Sequence, residues 1–158
     1  MLFKDLLTSQ NMNLKYRKGI FLVVYSIYEG KTRYLVLKRK LHWKGWEFPK
    51  GGIEKGESIK KTIMRETKEE TGKNPITIKK FDINGKYNYN KYYPDRAGFK
   101  GQTYKLYSVN IDFGKIKIDK REHSGYKWLE FNKAVKKLTW INQKKCLRIV
   151  NDWLNKAK

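Results

Sequence analysis

The stretch from Ser58 to Gly72 constrains the fold more than any other part of the chain. Ile59 and Ile63 begin an apolar helical stripe, and the same stripe then runs into acids. At 100° per residue from Ile59, Ile63 falls at about 40°, Glu66 at about −20°, Glu70 at about 20° and Glu69 at about −80°. Three carboxylates therefore lie on or beside a face that should be buried. They also sit at the C-terminal end of the helix, where the macrodipole is negative and disfavours acids. A sequence that breaks two local rules in one place usually does so for function. Spacings of three and four residues bring these side chains together. Unpaired, they repel and raise one another's pKa. Magnesium or manganese removes that penalty, because both are hard cations that favour carboxylate oxygens. Glu66, Glu69 and Glu70 are thus candidate metal ligands. Arg65, four residues before Glu69, is placed to orient it. The competing reading is a solvated helix whose Lys60, Lys61, Arg65 and Lys68 pair with the acids at the surface.

The rest of the chain is sized for one domain with one core, 158 residues with 39% hydrophobic and 15% aromatic side chains. Such a composition excludes a disordered protein. Lys and Arg number 37 against 15 Asp and Glu, a net charge of +22. That field attracts nucleotides, RNA and other polyanions, or is a generally basic solvated surface. One cysteine, Cys146, excludes an internal disulfide framework and a cysteine-based zinc site. Its place in an apolar helical pattern marks it as a buried thiol. His42 and His123 are too far apart in sequence to suggest a histidine metal site. No signal pattern opens the chain, and the apolar run Ile20–Tyr28 is far short of the roughly 20 residues of a membrane helix. The expectation is a soluble, cytoplasmic protein with no membrane partner, a monomer or homodimer.

Residues 1–18 read as a short helix and a lead-in. Ile20–Tyr28 reads as a central strand with both faces apolar. Glu29-Gly30-Lys31 turns it into a second strand at Tyr34–Leu37. Trp43–Gly56, rich in Gly and aromatics and holding Pro49, reads as a loop. Ser58 is the expected N-cap of a helix over Ile59–Thr71, and Gly72 its stop. Strands are expected at Ile76–Ile83, Thr103–Ile111 and Tyr126–Leu129. A tyrosine-rich segment lies at Lys86–Tyr93 and a turn at Pro94–Gly98. Helices are expected at Phe131–Leu138 and Ile141–Leu154. The order predicts a mixed sheet covered by helices.

Gly51, Glu57, Arg65, Glu66, Glu69, Glu70 and Gly72 fit the pattern G-x5-E-x7-R-E-U-x-E-E-x-G-U over residues 51–73. The chain resembles the Nudix hydrolases, which cleave nucleoside diphosphates linked to another moiety. Thr67 and Lys73 depart from the pattern, standing where aliphatic residues are usual. The resemblance implies an α/β/α sandwich with a mixed β-sheet, forming a single domain over residues 1–158. It also implies Mg²⁺ (or Mn²⁺) held by Glu66, Glu69 and Glu70 with the backbone carbonyl of Lys50. Glu57 is either a ligand or a structural acid. Attack on phosphorus would come from metal-activated water. The general base is an acid of the helix or of a later loop, where Glu122 is the candidate.

Trp46-Glu47-Phe48-Pro49-Lys50-Gly51-Gly52 is similar to the corresponding segment of diadenosine tetraphosphate hydrolases and of RNA 5′-end pyrophosphohydrolases. His42, and Glu122-His123-x-x-Tyr126-Lys127-Trp128-Leu129, resemble the dinucleoside polyphosphate enzymes and favour hydrolysis of diadenosine tetraphosphate to ATP and AMP. In such proteins rings stack on the base and cations bind the phosphates. Tyr87, Tyr89, Tyr93 and Tyr104 could supply rings, or simply pack the sheet. Lys38, Arg39, His42, Lys50 and Lys86 could supply charge. RNA pyrophosphohydrolysis is the alternative; diphosphoinositol polyphosphates and a non-catalytic RNA-binding role complete the range.

Overall fold

Alternate residues of the strand that begins at Ile20 feed two different cores. Phe21, Val23 and Tyr25 pack with Ala134, Leu138, Cys146, Leu147 and Val150 of the C-terminal helices. Ile20, Leu22 and Val24 pack with Ile63, Tyr107 and Val109 on the other side. A strand apolar on both faces must be covered twice, and the chain supplies one helical layer per face. The expected α/β/α layering follows directly from that period of two. In the computed structural model, which describes residues 14–157, the elements are as follows. Strands β1 (Lys15–Arg17), β2 (Gly19–Tyr28), β3 (Lys31–Arg39), β4 (Gly45–Glu47) and β5 (Lys50–Gly52) precede helix α1 (Ile59–Thr71). Strand β6 (Thr77–Asn88), a 3₁₀ turn (Pro94–Arg96), β7 (Phe99–Asn110), β8 (His123–Leu129), α2 (Phe131–Lys137) and α3 (Ile141–Lys156) follow.

The sheet is mixed, as expected. β2 runs parallel to β7 over Ile20–Tyr25 and antiparallel to β3 over Tyr25–Tyr28. β3 carries β4 and β8, both antiparallel, and β6 flanks β7. Ser58 accepts from the Lys61 N–H at 3.2 Å and starts α1. Gly72 ends it in the left-handed region at φ 76°, its N–H bonded to the Lys68 carbonyl. Burial lifts the Cys146 thiol pKa to about 11, so the group is inert.

Several boundaries differ from the sequence expectation, among them β3, which spans Lys31–Arg39 rather than Tyr34–Leu37, and β7, which begins at Phe99 rather than Thr103. The segment Trp43–Gly56 is not one loop. Gly45–Glu47 adds to the edge of β3, and Lys50–Gly52 pairs with Gly19–Phe21 of β2. Three-residue strands are made by their partners, and no local alternation announces them. β6 runs on to Asn88 because a register shift between Lys80 and Asn84 absorbs the break in its pattern. β8 starts at His123 rather than Tyr126. Of the region expected to open with a helix, residues 1–13 lie outside the described residues, and Lys15–Arg17 form a strand parallel to β7. Among the described residues, no helix is long and apolar enough to cross a membrane.

Candidate active site

The end of α1 buries two of its acids. Glu66 is 8% exposed and Glu70 1%, whereas the Glu69 side chain is half in solvent. One guanidinium organises them. Arg65 donates from Nε and Nη2 to the two oxygens of Glu57, at 2.8 Å each. Its Nη1 donates to Glu66 Oε1 at 2.7 Å and to Glu69 Oε2 at 3.3 Å, and Nη2 reaches the Gly52 carbonyl at 2.9 Å. Arg65 thereby fastens the glycine loop to the helix. Glu57 also accepts from Thr62 Oγ1 and the Glu54 N–H. The Arg65 hydrogen bonds outweigh partial desolvation and hold its carboxyl at about 2. Both Glu57 oxygens accept hydrogen bonds within the protein, so of its two expected roles, ligand or structural acid, the geometry favours the second. It is the acid that anchors Arg65.

Glu66 and Glu70 are held at an electrostatic cost. Burial, with Glu69 and Glu122 adding repulsion against the pull of Arg65, raises Glu66 to about 7. Burial and the charges of Glu66, Glu47 and Glu122 push Glu70 well above the usual carboxylate range. Glu70 Oε2 accepts from the Lys50 N–H at 3.1 Å, but the buried Oε1 has no partner. A Cβ on Gly51 would fall on the Glu66 carboxylate, so only glycine leaves that group room. Ligand atoms of Glu70, Glu122 and His123 lie within 4.8 Å of one another. An orphaned carboxylate oxygen, crowded acids and an all-oxygen set at α1 fit a hard divalent cation. Glu66, Glu69 and Glu70 could hold it, with Glu122 alongside.

This crowding gives a pH prediction. Glu66 goes from 4.5 ordinarily to about 7 in the folded protein, so folding favours its protonated form. The associated stability is full below 4.5 and is lost as pH rises through about 7. Urea titrations in chelator should therefore show stability falling over that window. Millimolar Mg²⁺ should flatten the fall by replacing the proton.

Behind the acids lies a second charged group that sequence reasoning did not single out. Glu47 is fully buried, its Oε2 2.8 Å from His123 Nε2 and 3.3 Å from Arg39 Nη1, its Oε1 3.3 Å from Lys50 Nζ. Burial opposes ionisation, but Lys50, the His123 hydrogen bond and Arg39 outweigh it and hold the carboxyl at about 2. Arg39 continues to Glu122 at 3.7 Å. Arg39, Lys50 and Glu122 were expected at the site, but the only sequence sign of Glu47 is an acid between Trp46 and Phe48, where an apolar residue would suit burial.

Two cavities meet here. The first, about 340 Å³, is lined by Glu66, Glu69 and Glu122 and by Arg17, Arg39 and Arg121. The second, about 550 Å³, is lined by Trp43, Tyr87, Tyr89, Tyr93 and Trp140. Lys50, His42 and Arg96 line both. Lys50 Nζ lies 5.6 Å from the Trp43 ring and 5.3 Å from the Tyr87 ring, at the junction.

Arg39, His42, Lys50, Tyr87, Tyr89 and Tyr93 are thus brought to the cavities. Three expected substrate contacts are not. Tyr104 stacks on Phe21 at 3.9 Å as part of the core packing. Lys38 is exposed on β3 between Trp46 and Gly125. Lys86 lies over Tyr16. His42 is at the site but is a poor source of charge. Burial and Arg96 lower its pKa against the opposing pull of Asp95, to which Nε2 bonds at 3.0 Å. It fixes the Pro94–Arg96 turn. Arg17, Arg96, Arg121, Trp43 and Trp140 were not foreseen; they come from five separate segments, and only tertiary structure gathers them.

Residues 18–148 match the family profile described as the NUDIX domain. An RNA pyrophosphohydrolase of a Nitratiruptor species is 31% identical over 139 residues, covering 82% of this chain and 87% of the relative. An RNA pyrophosphohydrolase of a Sulfurovum species is 27% identical over 153 residues, 90% and 95% of the two chains. Among solved structures, a binary complex of the Ap4A hydrolase of C. elegans superposes with a TM-score of 0.68 at 25% identity, covering 88% of this chain and 98% of that one.

Proposed function

The chain belongs to the NUDIX domain family as one of its pyrophosphohydrolases, and on that premise we propose that it removes pyrophosphate from the triphosphorylated 5′ end of RNA. The observation that carries this reading is the junction of the two cavities. An acid- and arginine-lined chamber suited to cation-bound phosphates opens, past Lys50, into an aromatic chamber suited to the first base. The likeness to RNA pyrophosphohydrolases over most of the chain supports RNA as the substrate.

In this reading Glu66, Glu69 and Glu70, with the Lys50 carbonyl, hold Mg²⁺ or Mn²⁺. The bound cation supplies charge stabilisation at the phosphoryl oxygens and a lowered pKa for water beside it. Lys50 Nζ, Arg17 and Arg121 bind phosphate oxygens. Glu122 takes the proton from the attacking water, and Arg39 keeps that carboxylate in place. Arg65 orients Glu66 and Glu69. Water cleaves the anhydride between the α and β phosphates, releasing pyrophosphate and a 5′-monophosphate end. A second reading, dinucleoside tetraphosphate hydrolysis, is favoured by the likeness to the Ap4A hydrolase.

A substrate panel decides between them. With Mg²⁺, 5′-triphosphate RNA should yield pyrophosphate faster than diadenosine tetraphosphate yields ATP and AMP, and EDTA should abolish both. The opposite ranking would establish the second reading. Turnover of ADP-ribose alone would exclude both.

A further inference from the structure

Outside both cavities, two lysines converge on one aromatic ring. Lys86 and Lys100 each place Nζ 5.0 Å from the centroid of Tyr16. Among the described residues neither lysine has a carboxylate within ion-pair distance. Two like charges gathered on a single ring repel each other, and the ring offsets only part of that cost. An anion between them would offset the rest.

The position of this cluster matters as much as its charge. The Tyr16 hydroxyl donates to Asn88 Oδ1 at 2.7 Å, and Asn88 lines the aromatic cavity. Arg17, next in the chain, lines the acidic one. Lys91 over Tyr93 and Arg96 over Tyr89 extend the same cation-on-ring arrangement along the rim. The surface therefore continues the aromatic cavity outward as a basic, ring-bearing face.

We propose that Tyr16, Lys86 and Lys100 form a phosphate-binding platform for the nucleotides that follow the first two of a bound RNA. This rests on the RNA reading given above and extends it beyond the reacting end. A positive surface interleaved with rings is the usual recipe for holding single-stranded nucleic acid without regard to sequence. A dinucleoside polyphosphate has no phosphodiester chain to place there.

The test is binding, read without turnover. Fluorescence anisotropy would compare a 5′-monophosphorylated RNA dinucleotide with a decamer, on the wild-type protein and on the Lys86→Gln/Lys100→Gln double variant. Thermal melting would confirm that the variant is folded. The wild type should bind the decamer more tightly than the dinucleotide. The variant should lose about tenfold in affinity for the decamer, and its log–log salt slope should fall by roughly 1 to 1.5. Dinucleotide affinity should stay the same. Equal decamer affinities for variant and wild type would overturn the platform, as would equal losses for both RNA lengths or a wild type indifferent to length. A failed substrate panel, by contrast, would remove the RNA activity without touching these affinities.

Discussion

Glu70→Gln is expected to lower kcat at least ~100-fold with the fold intact, because it removes a charged oxygen from the proposed cation site at the reacting phosphate. The side chain is 1% exposed, so the substitution is made in a closed space that an isosteric amide fills without a cavity. Glutamine can still accept from the Lys50 N–H, the one hydrogen bond Glu70 Oε2 makes there. What is lost is charge. Without divalent cation that loss is a relief, since Glu66, Glu47 and Glu122 all repel the Glu70 carboxylate. The variant should therefore melt no lower than the wild type in EDTA. The wild type should gain stability on adding Mg²⁺, and the variant should gain much less. Steady-state kinetics and melting with and without Mg²⁺ check both halves. A variant that is nearly as active as the wild type, or one that gains equally from Mg²⁺, would contradict the assigned role.

The same residue shows how far the sequence could be read. Glu66 and Glu70 were legible because a 3.6-residue period carried the Ile59–Ile63 stripe into them, and the burial of both follows that angle. The two-sided burial of β2 was legible for a similar reason, since its apolar run admits no solvent face. Periodicity says nothing about residues whose role depends on partners far away in the chain. Glu47 is fixed by residues 8 and 76 positions away, and its neighbours in sequence are two aromatics that suggest only packing. Tyr104 and Tyr87 read alike as rings in strands and both stack on Phe21, yet only Tyr87 also lines the aromatic cavity and meets Lys50. Glu57 fits the sequence pattern as well as Glu66 does. Only the geometry of Arg65 shows that both of its oxygens hold that guanidinium.

Glu47→Ala should be the most destabilising single change in the site, by about 3–5 kcal/mol, because it strands buried positive charge. Arg39 is 3% exposed and His123 is fully buried, and both rest on Glu47 Oε2. Lys50 Nζ would lose its ion pair with Oε1 and keep only its hydrogen bond to the Tyr87 hydroxyl at 3.4 Å. For a chain of this size the loss corresponds to a drop in Tm of roughly 10 °C. The pH dependence separates a charge effect from a simple cavity. Glu47 is depressed from 4.5 to about 2, so its stabilisation is full above 4.5 and disappears as pH falls through about 2. The gap between wild type and variant, measured by urea titration, should therefore narrow over that window. A cavity alone would leave the gap constant. Activity should fall as well, since Lys50 loses its anchor and Arg39 its hold between Glu47 and Glu122. A variant of unchanged stability at pH 7 would mean that Arg39, Lys50 and His123 find other partners, and the buried carboxylate would then have no part in holding the site.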